Sequence, residues 1–199
     1  MTIPFSFSRL SGERMTFLCR KKYFVFIVVT ALLGLHRSAV FAQDFATSEY
    51  KIKAAFLFNF AKFSEWPPGA VKDTDGSFVI GILGRDPFNT ALEQTIGEKT
   101  VRGAAIQIKR FRRLDDLRSC HILFISKSEK SNLPIILDKI ADKSILTVSD
   151  IPDFARRGGM IHLYTENNKV RFIIHTRAAE KAGLKLSAKL LTLTKNLSE

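Results

Sequence analysis

The chain has 199 residues, with 31 lysines and arginines against 19 aspartates and glutamates and a formal net charge of +12. A hydrophobic fraction of 46% excludes intrinsic disorder, and 11 Gly and 6 Pro are too few for a collagen-like or low-complexity chain. The length suits one ordinary domain with a sizeable core, while the positive charge raises nucleic acid as a partner that the rest of the chain must test.

Residues 1–42 differ from everything after them. Arg9, Arg14, Arg20, Lys21, Lys22 and Arg37 stand there against Glu13 alone. The cluster Arg20-Lys21-Lys22 leads into an apolar run from Tyr23 to Leu35, and Val40-Phe41-Ala42 follows. A charged region, an apolar region and a small-residue site in that order are the marks of a secretory signal peptide, and cleavage is expected after Ala42. The run has 13 residues, against the roughly 20 of a spanning helix. The alternative is an uncleaved signal anchor. Cys19 precedes the apolar run, which argues against a lipoprotein site. Both Met1 and Met15 are candidate starts, and a leader from Met15 has the usual length.

Loss of that leader removes six basic residues and one acidic residue, so the charge of residues 43–199 is +7. It also removes one of the two cysteines and leaves Cys120 as a free thiol, without an intramolecular disulfide in an oxidising compartment. Residues 43–199 are expected to form a single domain, exported to the periplasm.

Helical spacing of Ile52, Phe56, Asn59/Phe60 and Phe63 predicts a helix over 48–65, with Ser48 as N-cap and Lys51 and Lys53 on one side. Ala54, Leu57, Phe58 and Ala61 widen the apolar stripe to most of the circumference, so the helix is buried on two sides or meets a partner. Phe56, Phe58, Phe60 and Phe63 are therefore candidates for a dimer surface. Pro67 and Pro68 end the helix. Ser77–Leu83 reads as a buried strand, and Asp86-Pro87 as the cap and first residue of a helix over Phe88–Ile96. Val101–Phe111 is extended, Cys120–Ser126 is a second buried strand, Leu133–Ala141 a helix and Ile145–Val148 a short strand before a helical turn at Ile151–Ala155. Gly158-Gly159 opens a hairpin of Met160–Thr165 and Lys169–His175, turning at Glu166-Asn167-Asn168. A last helix is expected over Arg177–Leu197, with Ala182, Leu186, Leu190, Leu193 and Leu197 as its apolar stripe. The alternation predicts an α/β sandwich whose mixed sheet has a parallel portion first and an antiparallel C-terminal hairpin, flanked by helices.

Gly81-Ile82-Leu83-Gly84 stands at a strand end before a helix, where phosphate binds in dinucleotide folds, but the full glycine fingerprint is absent. His121, His162 and His175 are far apart and no metal-ligand spacing occurs, so no metal site or cofactor is expected. Ser126, Ser149 and Asp150 lack a nucleophile elbow, and Ser149 or Asp150 reads better as a cap for the turn at Ile151. No catalytic residues emerge, and the chain is expected not to be an enzyme. Lys109-Arg110-Phe111-Arg112-Arg113 is a basic cluster. Lys181, Lys185 and Lys189 fall four apart on the expected last helix, either as a solvated face or as a contact for an anionic membrane surface or an acidic partner. An exported chain without a recognition motif argues against nucleic acid.

Several segments together resemble a known family. They include Tyr50–Phe63 with Trp66-Pro67, Ile80–Gly84 with Asp86-Pro87-Phe88, and Cys120–Ser126. Leu146–Asp150, Gly158–Ile161, Val170-Arg171-Phe172, Ala182–Ser187 and Lys189-Leu190-Leu191 complete the set. In order and extent these resemble the YfiR family of periplasmic proteins. The resemblance implies a non-enzymatic, dimeric repressor of a membrane-bound diguanylate cyclase of the YfiN type. Such a protein binds the cyclase's periplasmic sensor domain, and its release raises cyclic di-GMP and favours biofilm formation. Cys120 matches a family cysteine whose disulfide partner is missing here. Where the family tends to read Arg-Phe-Glu-Ile-Asn, this chain has Arg171-Phe172-Ile173-Ile174-His175. The C-terminal hairpin and its approach, Phe154, Met160, Ile161, Arg171 and Ile173, are the expected partner contacts, with Ile161 and Ile173 alternatively facing the core. The reading from a different class is a periplasmic small-molecule- or nucleotide-binding Rossmann-like protein or enzyme using the Gly81–Pro87 turn.

Overall fold

A computed structural model describes residues 48–69, 71, 74–193 and 195–196. The expected leader with its cleavage site, both candidate starts, Cys19 and Leu197 lie outside the described residues. Residues 48–63 form helix α1, and strand β1 (Ser64–Glu65) follows at once. Ser48 is already helical and so is not the cap. The helix stops two residues short of the expected end because Ser64 and Glu65 pair with a later strand.

Strand β2 (Phe78–Leu83) is buried along its whole length. Helix α2 (Ala91–Ile96) begins later than expected. Asp86 Oδ1 accepts from the Phe88 N–H at 2.7 Å, which makes a local turn, and Asn89 then adopts a left-handed φ of 51°. The expected extended segment is a small hairpin, starting one residue earlier, of β3 (Thr100–Val101) and β4 (Ala104–Phe111). Then come β5 (Ile122–Ile125), α3 (Leu133–Lys139) and β6 (Leu146–Ser149). Ile151–Ala155 is turn rather than helix. Strands β7 (Ile161–Glu166) and β8 (Lys169–Ile174) form the expected hairpin. Its two-residue turn, Asn167-Asn168, has φ of 50° and 57°, the left-handed pair that matches strand twist and that asparagine tolerates.

The single C-terminal helix does not form. The segment is α4 (Thr176–Lys181), β9 (Lys185–Leu186), α5 (Ala188–Thr192) and β10 (Lys195–Asn196). Gly183, at φ 77°, ends α4, and the Leu184 N–H closes onto the Ala179 carbonyl at 3.0 Å. Ser187 then caps α5 by accepting from the Leu190 N–H at 3.3 Å. Between the two helices β9 pairs antiparallel with β1. Lys181, Lys185 and Lys189 therefore sit on three different elements and do not form one helical face.

The main sheet runs β10-β8-β7-β6-β5-β2-β4-β3. Strands β4, β2, β5, β6 and β7 are mutually parallel, and β8 is antiparallel to β7. Numbered by chain order, the five parallel strands read 2-1-3-4-5, a doubly wound arrangement. The strand side chains alternate between two cores. Ile80, Ile82, Phe124, Val148, Ile161 and Leu163 face a first core closed by α1, α2, α4 and α5. Val79, Leu83, Leu123 and Ile125 face a second core closed by α3 and the 151–155 turn. The mixed α/β sandwich with its C-terminal hairpin is the architecture that the alternation predicts.

Candidate functional site

The parallel strands end on one edge of the sheet, where ligands of doubly wound folds bind. Asp150 follows β6 there and is buried. Its Oδ2 accepts from Tyr50 Oη at 2.7 Å and from Lys53 Nζ at 2.6 Å, with Lys127 Nζ at 3.4 Å. Lys53 also meets Glu49 at 2.6 Å one helical turn back, and its ammonium lies 4.3 Å from the centroid of the Tyr50 ring. The first turns of α1 are thus clasped onto the end of β6. Burial raises the Asp150 carboxyl, but Lys53, Tyr50 and Lys127 outweigh it and hold it below the ordinary carboxylate range. Burial and the same carboxylate push the Tyr50 hydroxyl upward. A cleft of about 370 Å³ opens over this cluster, and His162 and Tyr164 of β7 form its far wall. Burial pushes the His162 imidazole below its ordinary value, against the opposing pull of Asp153 and Asp150.

His162 pairs across the hairpin with Ile173, and Tyr164 with Arg171. Directly opposed residues share a face, so these four form one patch on the side of the hairpin turned away from the first core. None of them belongs to the second core, and all four are half-buried or exposed. Arg171 Nε is 3.0 Å from Glu166 on the same face.

Of the five expected partner contacts, only Arg171 and Ile173 lie on this accessible patch. Phe154 and Ile161 are fully buried, in the second and first cores respectively, and Met160 is 8% exposed. The reason is positional. Residues 151–160 fold back over the sheet to join β6 to the parallel β7, so their apolar side chains become core.

Of the expected dimer surface on α1, Phe60 is withdrawn into the core, while Phe56, Phe58 and Phe63 stay half-buried. Phe60 is fully buried, and Phe56 stacks on Phe60 at 5.9 Å and meets Phe172 edge-on at 5.2 Å. Phe58 and Phe63 are half-buried beneath Lys99 and Lys189, whose ammonium groups are each 5.2 Å from the ring centroid. Most of the apolar side chains of α1 thus pack within its own fold, while Ile52 stays exposed.

At the Gly81–Pro87 turn, where the strand order reverses between β2 and β5, a cleft of about 440 Å³ opens, lined by Gly84, Arg85, Asp86, Arg110, Ser128 and Glu129. A Cβ on Gly84 would collide with Ser128 Oγ and come within 2.8 Å of Glu129. The Arg85 N–H donates to Ser128 Oγ at 2.9 Å. Asp86 is engaged by Arg110 at 2.6 Å, and Arg110 also reaches Glu93 at 2.7 Å.

Cys120 is a buried free thiol that burial pushes up to about 12, far from a reactive thiolate. His121 is structural. Its Nδ1 accepts from the Val79 N–H at 3.0 Å and its ring stacks on Phe78 at 4.3 Å.

Sequence reasoning missed Tyr50, Lys53, Lys127, His162 and Tyr164 as one constellation. Two signals were present. Lys53 stands four and seven residues before the core residues Leu57 and Phe60, inside the apolar stripe. Asp150 directly follows an apolar strand, at the edge where doubly wound folds place their sites.

A sequence model described as YfiR/HmsC-like matches residues 50–195. Among curated proteins none matches the chain. Among solved structures, a conserved domain protein from Vibrio cholerae O1 biovar El Tor has 10% identity and a TM-score of 0.46. The match covers 62% of this chain and 55% of that one. A domain from Streptococcus pneumoniae, described as the ABC domain in complex with L-Trp, has 8% identity and a TM-score of 0.46, covering 64% of this chain and 56% of the other. The chain therefore spans little more than half the length of either structure.

Proposed function

The chain belongs to the YfiR/HmsC-like family, and from that premise we propose that it represses a membrane-bound diguanylate cyclase by binding that enzyme's periplasmic sensor domain. The family is periplasmic in general and regulatory rather than catalytic. The observation that carries the proposal is the extent of the family match, which takes in α1, the whole sheet and the C-terminal hairpin. No described helix is long and apolar enough to cross a membrane. Residues 1–42 act as the export signal, and a pair of these chains meets the sensor domain.

The docking patch is the open face of the β7–β8 hairpin. Arg171 supplies a charged rim and Ile173 an apolar contact, a combination common at regulated interfaces. Binding represses only if it differs between the active and inactive states of the sensor domain, so the hairpin is to favour the inactive state. The test is to delete the gene and measure cellular cyclic di-GMP, then restore either the native protein or Arg171→Glu. Deletion is expected to raise cyclic di-GMP, native protein to lower it again, and the variant to fail although present at native levels. Unchanged cyclic di-GMP on deletion overturns the proposal.

A further inference from the structure

We propose that the cleft over Asp150 is a binding site for a neutral, hydroxyl-bearing small molecule, such as a saccharide or polyol. The starting point is an imbalance within one carboxylate. Three donors crowd Oδ2, whereas Oδ1 is buried and has no hydrogen-bond partner among the described residues. A buried unpaired carboxylate oxygen is costly, and native folds rarely leave one. Asp150 lines the cleft, and a turn of its carboxylate that uncovers Oδ1 lets a group placed there supply the missing donor. The volume of about 370 Å³ falls at the small end of ligand pockets.

The charges around the cleft select the class of donor. Lys53 and Lys127 balance Asp150 and Glu49, and all four line the cleft. A cation brought to Oδ1 approaches two ammonium groups, and an anion approaches two carboxylates. A hydroxyl group meets neither penalty. Its hydrogen can go to Oδ1 while its lone pairs accept from Lys127, which is 58% exposed and has room to turn inward. His162, held toward its neutral form by burial, can donate or accept as a second hydroxyl requires. The His162 and Tyr164 rings, with centroids 5.8 Å apart and planes tilted by 40°, offer ring surface for the C–H groups of a sugar.

The site lies one cross-strand step from Arg171 and Ile173. An occupant that shifts His162 or Tyr164 thus bears on the face proposed for the partner. The binding site itself does not depend on the repressor proposal, and its test does not involve the cyclase.

The test is titration of the purified protein with glucose, N-acetylglucosamine and glycerol, with acetate and putrescine as charged comparators. The readouts are the His162 imidazole resonances and calorimetric heat. Saturable binding of a neutral probe is expected, with a Kd on the order of 1 mM or tighter. Binding should weaken at least about tenfold in Tyr164→Ala and in Asp150→Asn. Because Asp150→Asn disturbs a buried ion pair, the half-buried Tyr164→Ala provides the independent check on a folded protein. The proposal is overturned if no neutral probe gives a saturable shift, as a site holding only water would behave. It is equally overturned if acetate or putrescine binds more tightly, or if Tyr164→Ala binds as the native protein does.

Discussion

Lys53 carries its charge into a site where its side chain is 1% exposed, and it does so because two carboxylates meet it at 2.6 Å. A buried pair of this kind is weak evidence of net stability, but removing one partner strands the other. Lys53→Met is therefore expected to cost about 3–5 kcal/mol in urea unfolding, and Lys53→Met with Asp150→Leu to recover most of that loss. The histidines give a second test at this scale. Burial holds His121 and His162 below the ordinary value, which is about 6.5 in an unfolded chain. As pH falls through that value the unfolded chain takes up protons first, so stability drops until the folded histidines also protonate. Asp150, held low, adds stability above its unfolded value of about 3.9, lost as pH falls through its folded value. Unfolding measured from pH 7.5 down to about 5 should show a declining midpoint. His121→Asn, which keeps an acceptor for the Val79 N–H but does not titrate, should flatten the decline. A slope unchanged in that variant would contradict the assignment.

At the scale of the element, strands are legible in the sequence and the C-terminal segment is not. Strands β2, β5 and β6 are buried at every position, and in β2 and β5 a nearly continuous apolar run is the whole signal of a buried parallel strand. The segment 176–196 carries leucines at helical spacing, which suggests one helix. What breaks that expectation is punctuation. Gly183 can adopt φ 77° where other residues are strained, and Ser187 can cap a new helix. Ser187→Ala is expected to lower stability by about 1 kcal/mol. Gly183→Val should cost about 1–2 kcal/mol, since its Cβ also meets Pro67 Cγ at 3.0 Å. If neither variant shifts the thermal midpoint, the break between α4 and α5 is held by other contacts. The same punctuation dissolves the lysine ridge, which needs one continuous helix to exist.

At the scale of the whole molecule, the two-sided covering of the sheet decides which surfaces remain open. The first core takes four helices and absorbs the phenylalanines of α1, while the cover of the second core stops short of the hairpin. Arg171→Glu changes charge on a surface that closes no core. Its unfolding free energy should stay within about 0.5 kcal/mol of native, while capture of the proposed sensor domain falls. Loss of fold in that variant would show that the Arg171–Glu166 pair is structural instead.

Periodicity, chain punctuation and family resemblance are properties of residues near one another in the chain. The α/β class, the hairpin and the membership of a regulatory family are therefore legible in the sequence by itself. The site is not, because Lys53 and Asp150 are 97 positions apart and meet only through the strand order. The crossovers that place β6 beside β5 and β7 bring Asp150 to α1 and to the wall formed by His162 and Tyr164. Whether an apolar side chain such as Phe154 or Phe60 becomes core or contact is likewise settled by what packs over it, which local spacing does not encode.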